Sequence, residues 1–437
     1  MSTSPSSRPG LRVEPVVTPA PRAGTTPPVS GAGRQAATYA HRGSSGMAPE
    51  NTAAAFELAI AEGADYVETD VQLSADGELV IIHDVTLPRT TDARRVFADR
   101  PPWTVHDFTL AELRKLDAGG WYAAEFAGQH ILTLDELLDL LGDRVGLNLE
   151  LKSPAVNPGL AQAVVARLRR RREWIAPGAR PRPLIVGSFD EQALRDVHAH
   201  LPDVPVSLIT YDVPAGGRLA DLAGWVFSVN PDIRRLRPED AARVIEAGLA
   251  LVPWTVDSPK LWRWALDLGV DGMITNYPYA LKDLLHGRGA AGVVVEDIRY
   301  HSPGEHVVLR NVSDQPVDVS GWYLRNQASD RIVVGDGHVI PPGGLLRVHT
   351  GPGADDATTH HDGRATAFWN STHGDSAGLH RADGAIVDLY AYVIRADGDT
   401  TWGGGRAGRP PHPPPRTGTT MCLFCWGGGG GPAGGVR

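Results

Sequence analysis

The stretch from Ala64 to Asp84, ADYVETDVQLSADGELVIIHD, decides how the rest of the chain is read. It holds two strand-like runs, 65–72 and 79–83, joined through Ser74-Ala-Asp-Gly-Glu78. Asp76-Gly77 is a hairpin signal. Parallel neighbours need a crossover of about a dozen residues or more, so these two runs pair antiparallel. Their surroundings follow another rhythm. Strand-like runs at 37–40, 145–151, 184–188, 205–209, 225–229, 249–254 and 272–275 alternate with amphipathic segments at 51–62, 109–116, 133–141, 158–172, 190–200, 237–247 and 258–268. Strands alternating with helices give a parallel sheet. A block of about 250 residues is the usual size of a (β/α)8 barrel. With the hairpin counted there are nine strands, one more than a barrel needs. The fold expected is therefore α/β, a (β/α)8 TIM barrel that is irregular near its second and third strands.

Outward from this block the chain divides further. Residues 1–35, rich in Pro, Ser, Thr and Gly, read as a disordered arm, and 36–286 as the barrel. Residues 287–292 form a glycine-rich linker. Residues 293–402 carry short alternating runs, among them 306–310, 316–319, 331–334, 345–349 and 386–390, separated by Ser320-Gly321, Pro342-Gly343-Gly344 and Asp383-Gly384. That pattern reads as an all-β, immunoglobulin-like sandwich. Residues 403–437 are a Gly/Pro-rich tail with four Arg and no acid, and read as disordered. The tail holds both cysteines, Cys422 and Cys425, so a disulfide-stapled scaffold is excluded. Over 437 residues, 42 Lys and Arg against 51 Asp and Glu leave a formal charge of −9, which argues against nucleic acid as a partner. No run approaches the roughly 18 apolar residues of a transmembrane segment. No signal-peptide core follows Met1. The location expected is cytoplasmic by default, or exported if the start is misassigned.

The unusual chemistry sits at strand ends. His41-Arg42 ends the first strand, where barrel active sites lie. A helix begins near Asn51, which reads as its N-cap. Glu68 and Asp70 are two apart on one strand and share a face. Such carboxylates repel unless a proton or cation intervenes, and a hard divalent ion suits oxygen donors. His83-Asp84 closes the hairpin: His83 suits proton transfer, and Asp84 either orients it or begins a turn. In Leu147-Asn-Leu-Glu-Leu-Lys152, residues Asn148, Glu150 and Lys152 share a face. Charges in an apolar strand are costly unless paired or bound. Glu150 completes a three-carboxylate set, and Lys152 supplies charge for an anion, or the two form a structural pair. Trp254 ends another strand as a pocket wall or packing residue, and Asn276 reads as the start of a turn. Together these groups suit a phosphate diester.

At this point the chain resembles a known family. The motifs HRG…PENT (41–52), GADYVETDV (63–71), DGELVIIHD (76–84), LNLELK (147–152), VGSFD (186–190), VPWTV (252–256) and GVDGMITNYP (269–278) are similar to those of glycerophosphodiester phosphodiesterases, which share the barrel of phosphatidylinositol-type phospholipases C. The resemblance implies hydrolysis of a glycerophosphodiester to an alcohol and glycerol 3-phosphate. It implies His41 and His83 as the acid–base pair and Glu68, Asp70 and Glu150 as ligands of one divalent metal, Ca2+ or Mg2+. Arg42 and Lys152 would hold the phosphate, and Trp254 would line the substrate pocket. A cyclic phosphate intermediate is expected. Residues 293–392 resemble the lamin-tail domain through EHVVLRNVSDQPVDVSGWYLRN (305–326), with Trp322 a core residue, but no partner for it is legible. Two other readings stand beside this one. The substrate is a lysophospholipid or wall-polymer diester, with the aromatics of 92–130 (Trp103, Phe108, Trp121, Tyr122, Phe126) covering the mouth or packing the insertion. Or the barrel is inert and the chain binds or anchors through its sandwich.

Overall fold

The computed structural model describes residues 35–403, apart from 177, 179–182, 287–291, 301–303, 328–329, 370–373, 385 and 395–399. The N-terminal arm (1–34), nearly all of the linker, and the tail with Cys422 and Cys425 lie outside the described residues.

Nine strands build the first sheet: β1 (Ala37–His41), β2 (Tyr66–Leu73), β3 (Leu79–Ile81), β4 (Gly146–Leu151), β5 (Leu184–Ser188), β6 (Val206–Thr210), β7 (Ser228–Pro231), β8 (Ala250–Leu251) and β9 (Gly272–Thr275). Eight of them run in the order β8-β7-β6-β5-β4-β2-β1-β9, all neighbours parallel, while β3 pairs antiparallel with β2 off this path. The surplus strand is thus the hairpin arm, as the short connection requires. The seam between β8 and β9 is bridged by backbone N–H groups of Asp271, Ile274 and Val256, donating to Leu251, Pro253 and Ile274 at 2.8–3.0 Å.

Period-two alternation places the site. Val67 and Val71 face the buried core between barrel and helices, together with Phe56, Leu137 and Leu149. On the opposite face, Tyr39, Tyr66, Ile185, Val252 and Ile274 plug the barrel interior. Tyr39 and Tyr66 stack with centroids 4.5 Å apart. His41 and Glu68 stand two residues further along those same strands, above the plug. The insertion between β3 and β4 has a core of its own, in which Val80, Ile82, Leu87, Phe108, Leu113 and Ile131 are buried. Its aromatics mostly pack: Phe108 is fully buried against Phe97, and Trp103 donates its indole N–H to Phe97 O.

Beyond the barrel follow β10 (Val293–Arg299), β11 (His306–Asn311), β12 (Val317–Asp318), β13 (Tyr323–Arg325), β14 (Arg331–Val333), β15 (Val339–Ile340), β16 (Leu345–His349), β17 (Thr359–His361), β18 (Gly374–His380), β19 (Ile386–Ile394) and β20 (Thr400–Gly403). They form sheets β10-β11-β16-β17 and β14-β13-β18-β19-β20 with a small β12-β15 pair. The core between them includes Val307, Leu309, Trp322, Leu324, Trp369 and Leu379. The sandwich is docked on the barrel. Ile386 and Leu389 are buried in the barrel's own core cluster, and Tyr279, in the helix Pro278–Leu285, stacks on His380, which stacks on Tyr323. No helix among the described residues is long and apolar enough to cross a membrane.

Candidate active site

The parallel register of β2 and β4 sets Glu68 opposite Asn148 and Asp70 opposite Glu150. All four are buried, and one oxygen from each of Glu68, Asp70 and Glu150 lies within 4.8 Å of the others. Burial and mutual repulsion push the Glu68 and Glu150 carboxyls up. Burial acts on Asp70 the same way, but the Lys152 ammonium, with His83 and Arg42, overrides it and holds Asp70 well below the usual range. Lys152 Nζ lies 2.9 Å from Glu150 and 3.4 Å from Asp70, while Arg42 Nε is 3.5 Å from Asp70.

Three carboxylates crowded out of water fit one hard divalent ion, since every donor is oxygen. Asn148, on the same strand face, has both amide atoms buried without a partner among the described residues, a further sign that the cavity is built around a polar guest.

Both histidines are held by Nδ1. His83 Nδ1 lies 2.6 Å from Asp84 Oδ1, so Asp84 does orient the ring. His41 Nδ1 lies 2.7 Å from Asn276 Oδ1. Asn276 has no choice of orientation, because its Nδ2 donates to Asp257 Oδ2 at 2.6 Å and its backbone N–H to Asp257 Oδ1 at 2.8 Å. His41 therefore donates from Nδ1 and leaves Nε2 toward the cavity, 3.9 Å from Glu68. Burial, then Arg42, lowers the His41 imidazole to about 3, so it is neutral near pH 7. Burial raises Asp257 to about 6.

The expectation for Asn51 needs correction. The helix Ala53–Ala61 is capped by Thr52, whose hydroxyl accepts from Ala55 N–H. Asn51 stands at φ +59 instead, donating from Nδ2 to Asp70 Oδ2 at 2.9 Å and accepting from Thr69. It is a brace for a carboxylate. Arg42 is also left-handed, at φ +56, where its backbone N–H donates to Glu68 at 3.0 Å. Glycines make the loop between them possible: a Cβ on Gly46 would sit 2.3 Å from the Tyr277 ring.

Glu50 and Arg89 were not singled out from sequence. Glu50 accepts from Arg42 at 2.8 Å and from Arg89 at 2.7 Å, and Arg89 also donates to Asp84. This chain of charges runs from Arg42 to His83. PENT contained Glu50, but nothing local marked its partners. Trp254 is half-buried, with its indole N–H on Asn230 O. It meets Phe189 and Tyr211 edge-on or tilted at 5.6 and 5.8 Å, and those two are 40% and 52% exposed. All three follow C-terminal strand ends, so they form an aromatic rim on the catalytic face.

The family model described as the glycerophosphoryl diester phosphodiesterase family matches residues 41–280. The chain belongs to this family. A lamin tail domain model matches residues 287–393. A glycerophosphodiester phosphodiesterase of Bacillus subtilis is 34% identical over 261 residues, 57% of this chain and 85% of the relative. One from Caldanaerobacter subterraneus is 36% identical over 252 residues, covering 57% of this chain and 98% of the relative. Among solved structures, an Oleispira antarctica phosphodiesterase in complex with the product sn-glycerol 3-phosphate is similar at 30% identity and TM-score 0.51, over 58% of this chain and 97% of that one. Every motif that carried the phosphodiesterase resemblance lies within the barrel match, and the lamin-tail stretch 305–326 lies within the second.

Proposed function

We propose that the chain hydrolyses glycerophosphodiesters to an alcohol and glycerol 3-phosphate, with His41 and His83 as the acid–base pair. One observation carries the reading: three buried carboxylates within 4.8 Å of one another, beside Arg42, Lys152 and two imidazoles, at the mouth of a barrel of this family. The names of its relatives, and the product bound to the Oleispira enzyme, support the substrate class. Glu68, Asp70 and Glu150 would hold one divalent ion, Ca2+ or Mg2+, which when bound supplies positive charge to the phosphoryl oxygens. Arg42 and Lys152 add charge to the phosphate.

The two histidines are not equivalent. Asn276 is neutral and leaves His41 Nε2 as a lone pair, so His41 starts as base, taking the proton of the glycerol hydroxyl next to the phosphate. That oxygen bonds to phosphorus as the bond to the alcohol breaks. His83, whose Asp84 carboxylate balances an imidazolium, gives the alcohol its proton. Water then opens the cyclic phosphate with the roles reversed.

The test is turnover of glycerophosphocholine, read as glycerol 3-phosphate, with calcium, with magnesium and with chelator. Chelator-insensitive hydrolysis would remove the metal from the scheme; no hydrolysis of any glycerophosphodiester would remove the substrate class. A second reading, that the leaving alcohol is large and apolar or cationic, is favoured by the exposed rim of Phe189, Tyr211 and Trp254. The insertion aromatics do not favour it, since Phe108 and Trp103 are used in packing.

A further inference from the structure

We propose that His338, Asp355 and His360 form a second metal site, of the zinc class, which ties the turn between β14 and β15 to β17 and the loop that leads into it. One ligand atom from each lies within 4.8 Å of the other two. His338 and His360 are buried, 4% and 7% exposed, whereas Asp355 reaches solvent at its outer side.

Hydrogen-bond bookkeeping points to a cation. His360 Nε2 lies 2.9 Å from Val333 O, which can only accept, so Nε2 carries the proton. In the neutral ring Nδ1 is then a lone pair, and it faces Asp355 Oδ2 at 2.8 Å. Two lone pairs meeting at that distance repel, so the contact holds either a second ring proton, making His360 an imidazolium, or a metal cation; the buried second imidazole on the same oxygen favours the metal. His338 turns Nε2 to the same Oδ2 at 3.6 Å. Its ring is 5% exposed, and its Nδ1 has no partner among the described residues, so no other hydrogen bond among them explains why this imidazole is buried here. Asp355 is aimed by its other oxygen, which accepts the His361 backbone N–H at 2.7 Å.

The geometry suits the metal class. With bonds of about 2.0–2.1 Å, tetrahedral ligands stand about 3.3 Å apart, between the 2.8 and 3.6 Å found. Two imidazoles and one carboxylate suit zinc or another late first-row ion, and the exposed side of Asp355 leaves a fourth position to water. The His360 N–H on Val333 O is the outer hydrogen bond that fixes a metal-binding tautomer. Gly335 lies against the ring: a Cβ there would come within 3.2 Å of His360 Cε1. The barrel set, all oxygen, selects different ions, so the two sites are separable by metal.

The test uses the full chain with Cys422→Ser and Cys425→Ser, so that no thiolate contributes. The protein is stripped with chelator and titrated with cobalt(II) in excess magnesium, which competes at the barrel carboxylates but not at imidazoles. One equivalent of cobalt with strong visible absorption is expected. Asp355→Ala and His338→Gln should each lose it, while Glu150→Gln in the barrel should keep it. Zinc should raise the melting temperature of the parent and leave that of Asp355→Ala unmoved. Far-UV circular dichroism checks the fold, and Asp355, being exposed, is the safer variant. An absence of cobalt uptake in the parent overturns the proposal. So does uptake undiminished by Asp355→Ala, which would place the ion on the neighbouring His306, His349 and His361, whose successive rings lie 4.7 Å apart.

Discussion

Asn276 controls which nitrogen of His41 faces the cavity without itself carrying charge. Asp257 accepts from its amide and backbone, and the amide oxygen left over accepts from His41 Nδ1. Asn276→Ala frees the ring to rotate and to change tautomer. The expected result is a fall in kcat of roughly 100-fold, within the range general acid–base catalysis supplies, with KM nearly unchanged and the melting temperature close to the parent's. A loss confined to KM would mean that Asn276 acts on binding instead. The two histidines give a second prediction. If His83 protonates the leaving alcohol, His83→Ala should recover most of its lost rate on a p-nitrophenyl diester, whose leaving group needs no proton, and His41→Ala should not. Equal recovery in both would erase the assignment of roles. Much of this site was legible in sequence, because charged side chains interrupting apolar strands are conspicuous. Asn276 was read only as the start of a turn, and Glu50 was not singled out, for the opposite reason. They lie in polar loops, where such residues are ordinary, and the His41–Asn276 partners are 235 positions apart.

At the scale of elements, the insertion between β3 and β4 is a small folded unit with its own core. Phe108 is fully buried there, with the Arg100 guanidinium 4.0 Å over its ring. Phe108→Ala should cost about 3–5 kcal/mol, seen as an earlier denaturant midpoint, while kcat under folding conditions stays near the parent's. A selective collapse of kcat would instead make this insertion part of the mouth. The exposed rim predicts the converse. Tyr211→Ala should leave stability within about 0.5 kcal/mol, as exposed substitutions do. It should raise KM for glycerophosphocholine more than for glycerophosphoglycerol, because an aromatic face attracts a quaternary ammonium. Equal effects on both substrates would remove the rim from leaving-group recognition. The strands were readable because period two, or a solid apolar run, survives in five residues. The seven-residue helix Gly217–Ala223, opened by Gly, was not, and neither was Pro278–Leu285, although Pro238–Glu246 and Pro259–Asp267 also open on Pro and were legible. The three-residue strands β13 and β17 are too brief to show a period.

At the scale of the molecule, sequence suggested two units in tandem, but it could not show that they pack together. Ile386 and Leu389 stand three apart on β19, on either side of an irregularity in its pairing with β18, and only the fold reveals that they face the barrel. Glu62 lies at this seam, just past the helix Ala53–Ala61, accepting from Ser44 Oγ–H at 2.7 Å. Burial pushes its carboxyl up to about 7, and Ser44, Arg325 of the sandwich and the Tyr279 backbone recover only part of that shift. In the unfolded chain it titrates near 4.5. The folded protein therefore binds this proton more tightly than the unfolded chain does. The Glu62 contribution to stability is most favourable below pH 4.5, declines as pH rises, and is fully lost above about 7. The loss is on the order of 3 kcal/mol. Glu62→Gln keeps an acceptor for Ser44 and cannot ionise. Relative to the parent it should be more stable at pH 8, with the gap closing by pH 5, as measured by denaturant unfolding at both values. Other carboxylates titrate in parent and variant alike, so the difference between the two isolates this residue. A gap of equal size at both pH values would mean that the substitution changes packing at the seam and that the ionisation of Glu62 carries no cost.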